Sequence, residues 1–203
     1  MVLKCLPTGV FESNCYILGN NGGGVVIDAG VSPEEVDGAV SEEGLKIKYI
    51  ILTHGHIDHI AYVDEIRDRL KAKVLIHRED AEALTDPRQN LSSLMGSSSS
   101  FREADGLLKD GDVLEVGGME LEIIHTPGHT PGGICIKADK LIFSGDTLFK
   151  DSIGRTDLGN GNFEVLVHSI KSRLMVLDDT VAVYPGHGDF STIGHEKRNN
   201  PFI

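Results

Sequence analysis

The sequence has no tryptophan, only three cysteines and 5% aromatic residues in 203 residues. Its apolar runs are strand-sized, which excludes a membrane-spanning helix because such a helix needs about 20 apolar residues. The first residues alternate polar and apolar types and show no secretory signal, so we expect a cytoplasmic protein. The cysteines, Cys5, Cys15 and Cys135, are odd in number and lack CxxC spacing. They predict reduced, buried thiols.

Basic residues are also scarce, with 19 Lys and Arg against 31 Asp and Glu and a formal net charge of −12. A chain of this charge repels a phosphate backbone unless a local basic patch compensates, and no such patch is visible in the sequence. We therefore expect neither a nucleic-acid partner nor a membrane partner. Hydrophobic residues make up 40% and charged residues 25%, as in ordinary globular proteins. A single domain over residues 1–203 is the expected organisation.

Short apolar and β-branched runs between Gly, Asn and Pro residues predict strands in both halves of the chain. They cover residues 2–6, 15–18, 24–28, 47–52, 74–77, 113–116, 119–125, 133–136, 141–144 and 181–184. Helices are predicted from the N-cap Ser32 to about residue 43, over 60–70 and over 162–177. This mixture predicts an α/β protein in which two sheets pack face to face with helices on the outer faces.

The segment 86–100 ends in Gly-Ser-Ser-Ser-Ser and has the composition of a flexible linker. A domain boundary there would separate the candidate metal ligands described below into two groups. We therefore interpret the segment as a mobile surface loop and a candidate lid, with a loop of no functional role as the alternative.

The most informative motif is HxHxDH, formed by His54, His56, Asp58 and His59 between a predicted strand and a predicted helix. In an extended segment His54 and His56 point to the same side and can bind one ion, while Asp58 and His59 can turn towards another. Histidine and carboxylate ligands suit zinc, iron or manganese. The lack of thiolate ligands argues against a closed structural zinc site and favours an open catalytic one.

Three later segments each follow a strand and place one possible ligand beside a glycine: His129, Asp146 and His187. Glycine allows the backbone to turn sharply or to approach an ion closely, so these segments predict loops at one edge of the sheets. His129 and His187 would each complete the protein ligands of one metal, with Asp146 between the two ions.

These residues resemble the metallo-β-lactamase-fold hydrolases, and the glyoxalase II branch in particular, over essentially the whole chain. The resemblance implies a four-layer αββα sandwich built from two mixed sheets. It also implies that His54, His56 and His129 bind one metal, that Asp58, His59 and His187 bind a second, and that Asp146 bridges them. Asp28 matches an early aspartate of the family that supports the ligands from outside the metal sphere.

The segment from Asp146 to Asp157 is similar to glyoxalase II and to persulfide dioxygenases. By this resemblance, Arg155 would contact the glutathione part of a substrate, although a surface arginine paired with Asp151 or Asp157 would look the same in sequence. The helical C-terminal domain that supplies further glutathione contacts in glyoxalase II is not found before Ile203. True β-lactamases of this fold are expected to carry a cysteine, or to lack a carboxylate, where Asp146 falls.

The resemblance implies a hydrolase that binds two divalent metal ions, with zinc as the first choice and iron or manganese as alternatives. Its expected substrate is a small-molecule thioester such as a hydroxyacylglutathione, attacked by a metal-activated water while Asp58 orients the nucleophile or accepts its proton. Alternatives are an iron-dependent persulfide dioxygenase, a lactone or other ester hydrolase, and a noncatalytic metal-binding module. The remaining histidines are predicted to be structural (His77, His125) or on the surface (His168, His195).

Overall fold

We analysed a computed structural model that describes residues 1–203. The first sheet has six strands in the order of the chain: β1 (Val2–Leu6), β2 (Cys15–Asn20), β3 (Gly23–Ile27), β4 (Lys46–Ile51), β5 (Lys73–His77) and β6 (Gly106–Leu108). The pairs β1–β2 and β2–β3 are antiparallel, whereas β3, β4, β5 and β6 run parallel. The sheet is therefore mixed, as predicted.

The second sheet has the strand order β14-β13-β10-β9-β8-β7. Its strands are β7 (Val113–Val116), β8 (Met119–His125), β9 (Ile134–Ala138), β10 (Leu141–Gly145), β13 (Ala182–Pro185) and β14 (Ser191–Thr192), and β11 (Leu148–Phe149) with β12 (Ser152–Ile153) forms a separate hairpin. Only β10 and β13 are parallel neighbours. The short strands β6 and β14 and the hairpin were not among the predicted strands.

The helices are α1 (Pro33–Glu42), α2 (Ile57–Ile60), α3 (Val63–Leu70), α4 (Phe163–Ser169) and α5 (Ile193–Asn199). Ser32 caps α1 as predicted, since its side chain accepts a hydrogen bond from the Glu35 amide. Asn162 caps α4, which continues as a π-helical turn over Ile170–Leu174 rather than as an α-helix to residue 177. None of the helices combines the length and the apolar composition that a membrane crossing requires.

Three apolar clusters give the chain its layers. Side chains of the two sheets meet in a central cluster, represented by Leu18 and Ile51 from the first sheet and Ile123 and Phe143 from the second. A second cluster joins the outer face of the first sheet to α1 and α3, and a third joins the outer face of the second sheet to α4 and α5. The predicted four-layer αββα sandwich is confirmed.

The helix predicted over residues 60–70 is wrong at its start. Two short helices replace it, with a break at Ala61 and Tyr62. Ala29 causes the break, because its N–H donates to the His59 carbonyl at 2.7 Å and its carbonyl accepts from the Tyr62 N–H at 2.9 Å. These bonds replace the bonds that a continuous helix would make at the same positions. They also fix the turn that carries Asp58 and His59.

The segment 86–100 contains local structure, and its predicted mobility stays a prediction. Asn90 is completely buried, and its side-chain amide donates to the carbonyls of Ala83 and Ser99, at 3.0 Å each, while its oxygen accepts from the Ser92 amide. A short 3₁₀ helix follows over Ser92–Met95. One buried asparagine thus satisfies three backbone groups that polar composition alone does not identify. Closure of this segment over a substrate stays a prediction.

Two expectations about the surface are also corrected. Cys15 and Cys135 are buried, but Cys5 is exposed because β1 is the edge strand of its sheet; all three thiols are free. A small basic patch exists, since Lys46, Lys48, Lys71 and Lys73 line one shallow cavity. The parallel strands β4 and β5 begin at the same edge and bring these lysines together. The expected lack of a nucleic-acid partner stays a prediction.

Candidate metal centre

All seven predicted ligands lie together, at the edge where four strands end. The HxHxDH segment follows β4, His129 follows β8, Asp146 follows β10 and His187 follows β13. Glycine is required at one of these loops, because a Cβ atom on Gly186 would lie 2.1 Å from Asp146 Oδ1. The prediction that glycine permits close approach of the backbone to the site agrees with this contact.

His54, His56 and His129 form one cluster, which we call the three-histidine group. His129 Nε2 lies 3.3 Å from His54 Nε2 and 2.9 Å from His56 Nδ1, so three ring nitrogens converge on one point. Burial lowers the pKa of His54 well below its usual value and that of His56 to about 3, with neighbouring histidines adding to the effect. Neutral imidazoles are the form in which histidine binds metals.

Asp58, His59 and His187 form a second cluster, which we call the carboxylate group. His187 Nε2 lies 3.1 Å from Asp58 Oδ2 and 3.3 Å from His59 Nε2. Burial alone would lower the pKa of the His59 imidazole, but the surrounding carboxylates, Asp146 first among them, raise it well above its usual value. The two groups differ in charge, since this one contains a carboxylate and the three-histidine group does not.

Asp146 lies between the two groups. Its Oδ1 is 3.4 Å from His59 Nε2, and its Oδ2 is 3.6 Å from His129 Nε2 and 3.7 Å from His187 Nε2. Asp146 Oδ1 is buried and has no hydrogen-bond partner. A buried carboxylate oxygen without a donor is costly unless a cation compensates it. The donor set and this unpartnered oxygen fit a pair of metal ions bridged by Asp146.

Asp28 contacts one candidate ligand, His59, and its role in supporting bound metal stays a prediction. Its Oδ2 lies 2.8 Å from His59 Nδ1 and accepts from Thr53 Oγ1 at 2.8 Å, while Oδ1 accepts from the Thr53 amide at 2.7 Å. The carboxylate therefore fixes the ring of His59 with Nε2 directed to the metal centre. His129 is fixed in the same way, because its Nδ1 lies 2.7 Å from the Arg155 carbonyl oxygen.

Asp80 is a positioning residue that sequence reasoning missed. It is buried, and its carboxylate accepts hydrogen bonds from the Gly55 amide at 3.0 Å, from Thr130 Oγ1 at 2.7 Å and from the Gly132 amide at 2.6 Å. These bonds join the HxHxDH loop to the loop that carries His129. In the sequence Asp80 follows two other charged residues, Arg78 and Glu79, and no local signal distinguishes it from a surface acidic residue.

The loop that carries His187 is also fixed by residues that sequence reasoning missed. The Asn14 side-chain amide donates to the Pro185 carbonyl at 3.0 Å and to the Gly188 carbonyl at 3.1 Å. The Tyr16 hydroxyl donates to the same Pro185 carbonyl at 2.6 Å. Ser13 forms an isolated β-bridge with His187. The start of β2 thus determines the position of a ligand more than 160 residues later.

Arg155, the predicted substrate contact, borders the centre but pairs with a carboxylate. Its guanidinium donates to Asp157 at 2.8 Å and 2.9 Å, and its side chain is 60% exposed. The surface ion pair that the sequence left open therefore exists, with Asp157 rather than Asp151 as the partner. Contact of Arg155 with a substrate stays a prediction.

Four histidines lie outside the centre. His77 is buried and stacks on His125 with ring centroids 4.0 Å apart, as expected for structural residues. His168 is exposed, as predicted. His195 is half-buried rather than free on the surface, and its Nε2 lies 2.7 Å from Asp151 Oδ1.

The His77 pair should make stability depend on pH in a defined direction. Burial, aided by His125, lowers the pKa of His77 to about 4, below the 6.5 of an exposed histidine. Its contribution to stability is therefore complete above pH 6.5 and is lost as the pH falls towards 4. Between pH 7 and 4.5 the metal-free protein should lose about 2 kcal/mol more of its unfolding free energy than the His77→Phe variant.

Urea unfolding of both proteins at the two pH values measures this difference, and a chelator keeps both proteins free of metal. Phenylalanine retains an aromatic partner for His125. Glu79, Arg78 and Asp110 also act on His77 and are unchanged in the variant. Parallel pH profiles for the two proteins would show that His77 does not contribute.

The chain has two packed mixed sheets with helices on their outer faces. At one sheet edge it carries the three-histidine group and the carboxylate group, with Asp146 between them. This combination defines a class of protein, the metal-dependent hydrolases of αββα fold. The chain belongs to the metallo-beta-lactamase superfamily, whose family model matches residues 8–187. Both the fold and the superfamily predicted from the sequence are thereby confirmed.

Several relatives cover nearly the whole chain. The hydroxyacylglutathione hydrolase GloC of Haemophilus influenzae is 33% identical, over 100% of this chain and 98% of that protein. Among solved structures, the BLEG-1 B3 metallo-beta-lactamase is 38% identical with a TM-score of 0.94 and covers 99% of both chains. TTHA1623 in a di-iron-bound form is 31% identical with a TM-score of 0.86, over 98% of this chain and 100% of that one.

Proposed function

We propose that this protein uses two divalent metal ions to hydrolyse thioesters, and that its substrates include hydroxyacylglutathiones. The observation that carries the proposal is the unpartnered, buried Oδ1 of Asp146 between two ligand groups. Such an arrangement suits two cations at the end of an open groove. The likeness to GloC supports the thioester part of the proposal.

The residues of the centre define what the protein itself does in this reaction. Two bound divalent ions would supply Lewis acidity that lowers the pKa of water and stabilises negative charge on a substrate oxygen. The Asp58 carboxylate borders the groove, where it can orient a water molecule and accept its proton. As water adds to the thioester carbonyl carbon, the C–S bond breaks and the thiolate leaves, which gives a carboxylate and a thiol.

The identity of the metal is part of the proposal. Histidine nitrogens and carboxylate oxygens accept zinc, iron and manganese. We propose zinc first, and the likeness to TTHA1623 in its di-iron-bound form supports iron as the alternative. We also propose that Arg155 contacts the thiol part of a charged substrate, which requires it to leave Asp157. The cytoplasm, which keeps the three thiols reduced, is the proposed location.

The test is hydrolysis of S-lactoylglutathione by protein loaded separately with zinc, iron or manganese, followed through the loss of thioester absorbance. We expect hydrolysis by at least one metal form and a loss of more than about 100-fold in the Asp58→Ala and His129→Ala variants. Asp179→Ala is the matched control, because Asp179 is an exposed aspartate paired with lysine on the surface. Metal content, measured in every sample, separates loss of ions from loss of chemistry.

A fully metal-loaded protein that leaves this and other thioesters intact would contradict the proposal. Oxygen consumption by the iron form with a persulfide would then favour the persulfide dioxygenase alternative. A β-lactam is a second candidate substrate, since the chain is 38% identical to the BLEG-1 B3 metallo-beta-lactamase. Hydrolysis of a chromogenic cephalosporin by the same samples tests that candidate, and lactones test the remaining ester hydrolase alternative.

A further inference from the structure

The metal centre opens into a groove of about 490 Å³ whose outer part is apolar. Five of the seven candidate ligands border this groove at its inner part. Its apolar lining, which we call the apolar groove, comes from the turn before β2, the start of α2, the 86–100 loop, the β11–β12 hairpin and the segment after it. The apolar side chains are those of Phe11, Ile57, Leu91, Leu94, Met95, Phe149, Ile153 and Leu158.

The apolar groove exposes large side chains that a soluble surface usually avoids in groups. Leu94 is 69% exposed, Phe11 63% and Met95 49%. Single exposed apolar residues are common, but several around one concavity mark a binding surface for an apolar group. The three residues come from two segments far apart in sequence, so the fold, and not one apolar run, assembles this surface.

Two residues of the apolar groove have a strained backbone conformation. Phe11 has a φ of 53° and Leu91 a φ of 67°, in the left-handed region that large side chains avoid. They are the only large apolar residues of the chain with positive φ, and both line the apolar groove. Each such conformation costs about 1 kcal/mol. The fold therefore accepts a cost that places two apolar side chains beside the metal centre.

The charges around the groove do not suit glutathione, which carries two carboxylates. Arg155 is the only arginine or lysine in the lining, and its guanidinium donates two hydrogen bonds to Asp157. Lys150, which follows the groove residue Phe149 in the sequence, pairs with Asp189. A substrate carboxylate would have to displace Asp157 from Arg155, whereas an uncharged apolar group would meet eight apolar side chains without breaking an ion pair.

We propose that the apolar groove binds the acyl chain of the substrate, so that the preferred substrates are thioesters with an apolar acyl chain of several carbons. This inference rests on the proposed thioester hydrolysis and specifies its substrate class. In the reaction, water adds to the carbonyl carbon, the C–S bond breaks, and a fatty carboxylate and a thiol are released. S-Lactoylglutathione, with its short hydroxylated acyl group and charged thiol, would be a poorer substrate.

The experiment compares acetyl, butanoyl, hexanoyl and octanoyl thioesters of the neutral thiol N-acetylcysteamine with S-lactoylglutathione, using the full-length metal-loaded protein. We expect kcat/KM to rise at least about tenfold from acetyl to hexanoyl, because each buried methylene favours binding. Calorimetry measures binding separately from hydrolysis, with thioethers of N-acetylcysteamine that cannot be hydrolysed. The S-hexyl thioether should bind at least about tenfold more tightly than the S-ethyl thioether, with a negative heat-capacity change.

Leu94→Ser is the variant that tests the groove itself, since Leu94 is exposed and its replacement leaves the core unchanged. It should reduce the ratio of hexanoyl to acetyl kcat/KM at least about threefold. Val176→Ser is the matched control, because Val176 is 71% exposed and lies outside the groove, and it should leave that ratio unchanged.

Hydrolysis of all acyl thioesters at similar rates, or a preference for S-lactoylglutathione that Leu94→Ser does not change, would overturn the inference while leaving the proposed function intact. Absence of hydrolysis of every thioester in every metal form would instead overturn the proposed function, and the inference with it. Tighter binding of the S-hexyl thioether, together with a rise of kcat/KM with acyl-chain length, would support both the proposed function and the inference.

Discussion

Replacing Asp146 with asparagine should lower hydrolysis by the metal-loaded protein roughly 10³-fold, since a bridging carboxylate contributes several kcal/mol to such a centre. Asp146 contacts both ligand groups, through His59 on one side and His129 on the other. An amide of the same size keeps the shape of the site but removes the negative charge that lies between the two ligand groups. The variant should also retain less than the two ions per chain expected for the wild type, as measured by elemental analysis after dialysis.

The control for this prediction is stability without metal. Asparagine is isosteric with aspartate, so the metal-free variant should unfold within a few degrees of the metal-free wild type. Added metal should raise the melting temperature of the wild type more than that of the variant. Asp179→Asn removes an exposed aspartate and should match the wild type in every measurement. Full activity with two ions bound in Asp146→Asn would contradict the assigned bridging position.

Replacing Asp80 with alanine should cost about 3 kcal/mol of unfolding free energy and weaken metal binding by roughly 10-fold to 100-fold. The stability effect arises because the Gly55 amide, the Thr130 hydroxyl and the Gly132 amide lose their buried acceptor together. The effect on metal arises because the His56 and His129 loops are no longer joined. For a chain of this length, that free energy corresponds to a fall of roughly 10 °C in melting temperature.

Denaturant unfolding of the metal-free proteins measures the first effect, and competition with a chromogenic chelator measures the second. Glu79→Ala provides a close control, because Glu79 is the adjacent acidic residue and is exposed. Thr130→Val removes one of the three donors and should show a smaller loss of stability. Unchanged metal affinity in Asp80→Ala, despite lower stability, would limit Asp80 to a structural role.

The candidate ligands could be predicted from the sequence because their signal is local. His54, His56, Asp58 and His59 lie within six residues, and the other three ligands each follow a recognisable strand and lie beside glycine. Alternating and continuous apolar runs are also local, which explains why most strands and the order of the layers were predicted correctly. The structure brings all seven residues to one edge.

The residues that hold the ligands could not be predicted, because their contacts are distant in sequence. Asp80 binds groups 25 and 50 or more residues away, and Asn14 contacts a loop 171 residues away. Nothing in the neighbouring sequence distinguishes them from surface polar residues. The same reason applies to Ala29, whose backbone divides the predicted helix at Ala61.

Polar small residues in the segment 86–100 predict flexibility, and that prediction stays untested. Composition does not show that the buried Asn90 side chain bonds three backbone groups there, or that the segment presents Leu91, Leu94 and Met95 to the groove. An apolar surface built from residues of several loops has no periodicity in sequence. The apolar groove is therefore the part of this site that required the structure.

The dependence of the His187 loop on the start of β2 has a consequence for the order in which the protein matures. The ligands of the three-histidine group have all been synthesised once residue 129 is made, but the carboxylate group lacks His187 for a further 58 residues, counted as 187 minus 129. Contacts between such distant segments form late, because closing a long loop is slow. Arg155, whose carbonyl orients His129, also precedes His187, so during translation the three-histidine group should be assembled before the carboxylate group.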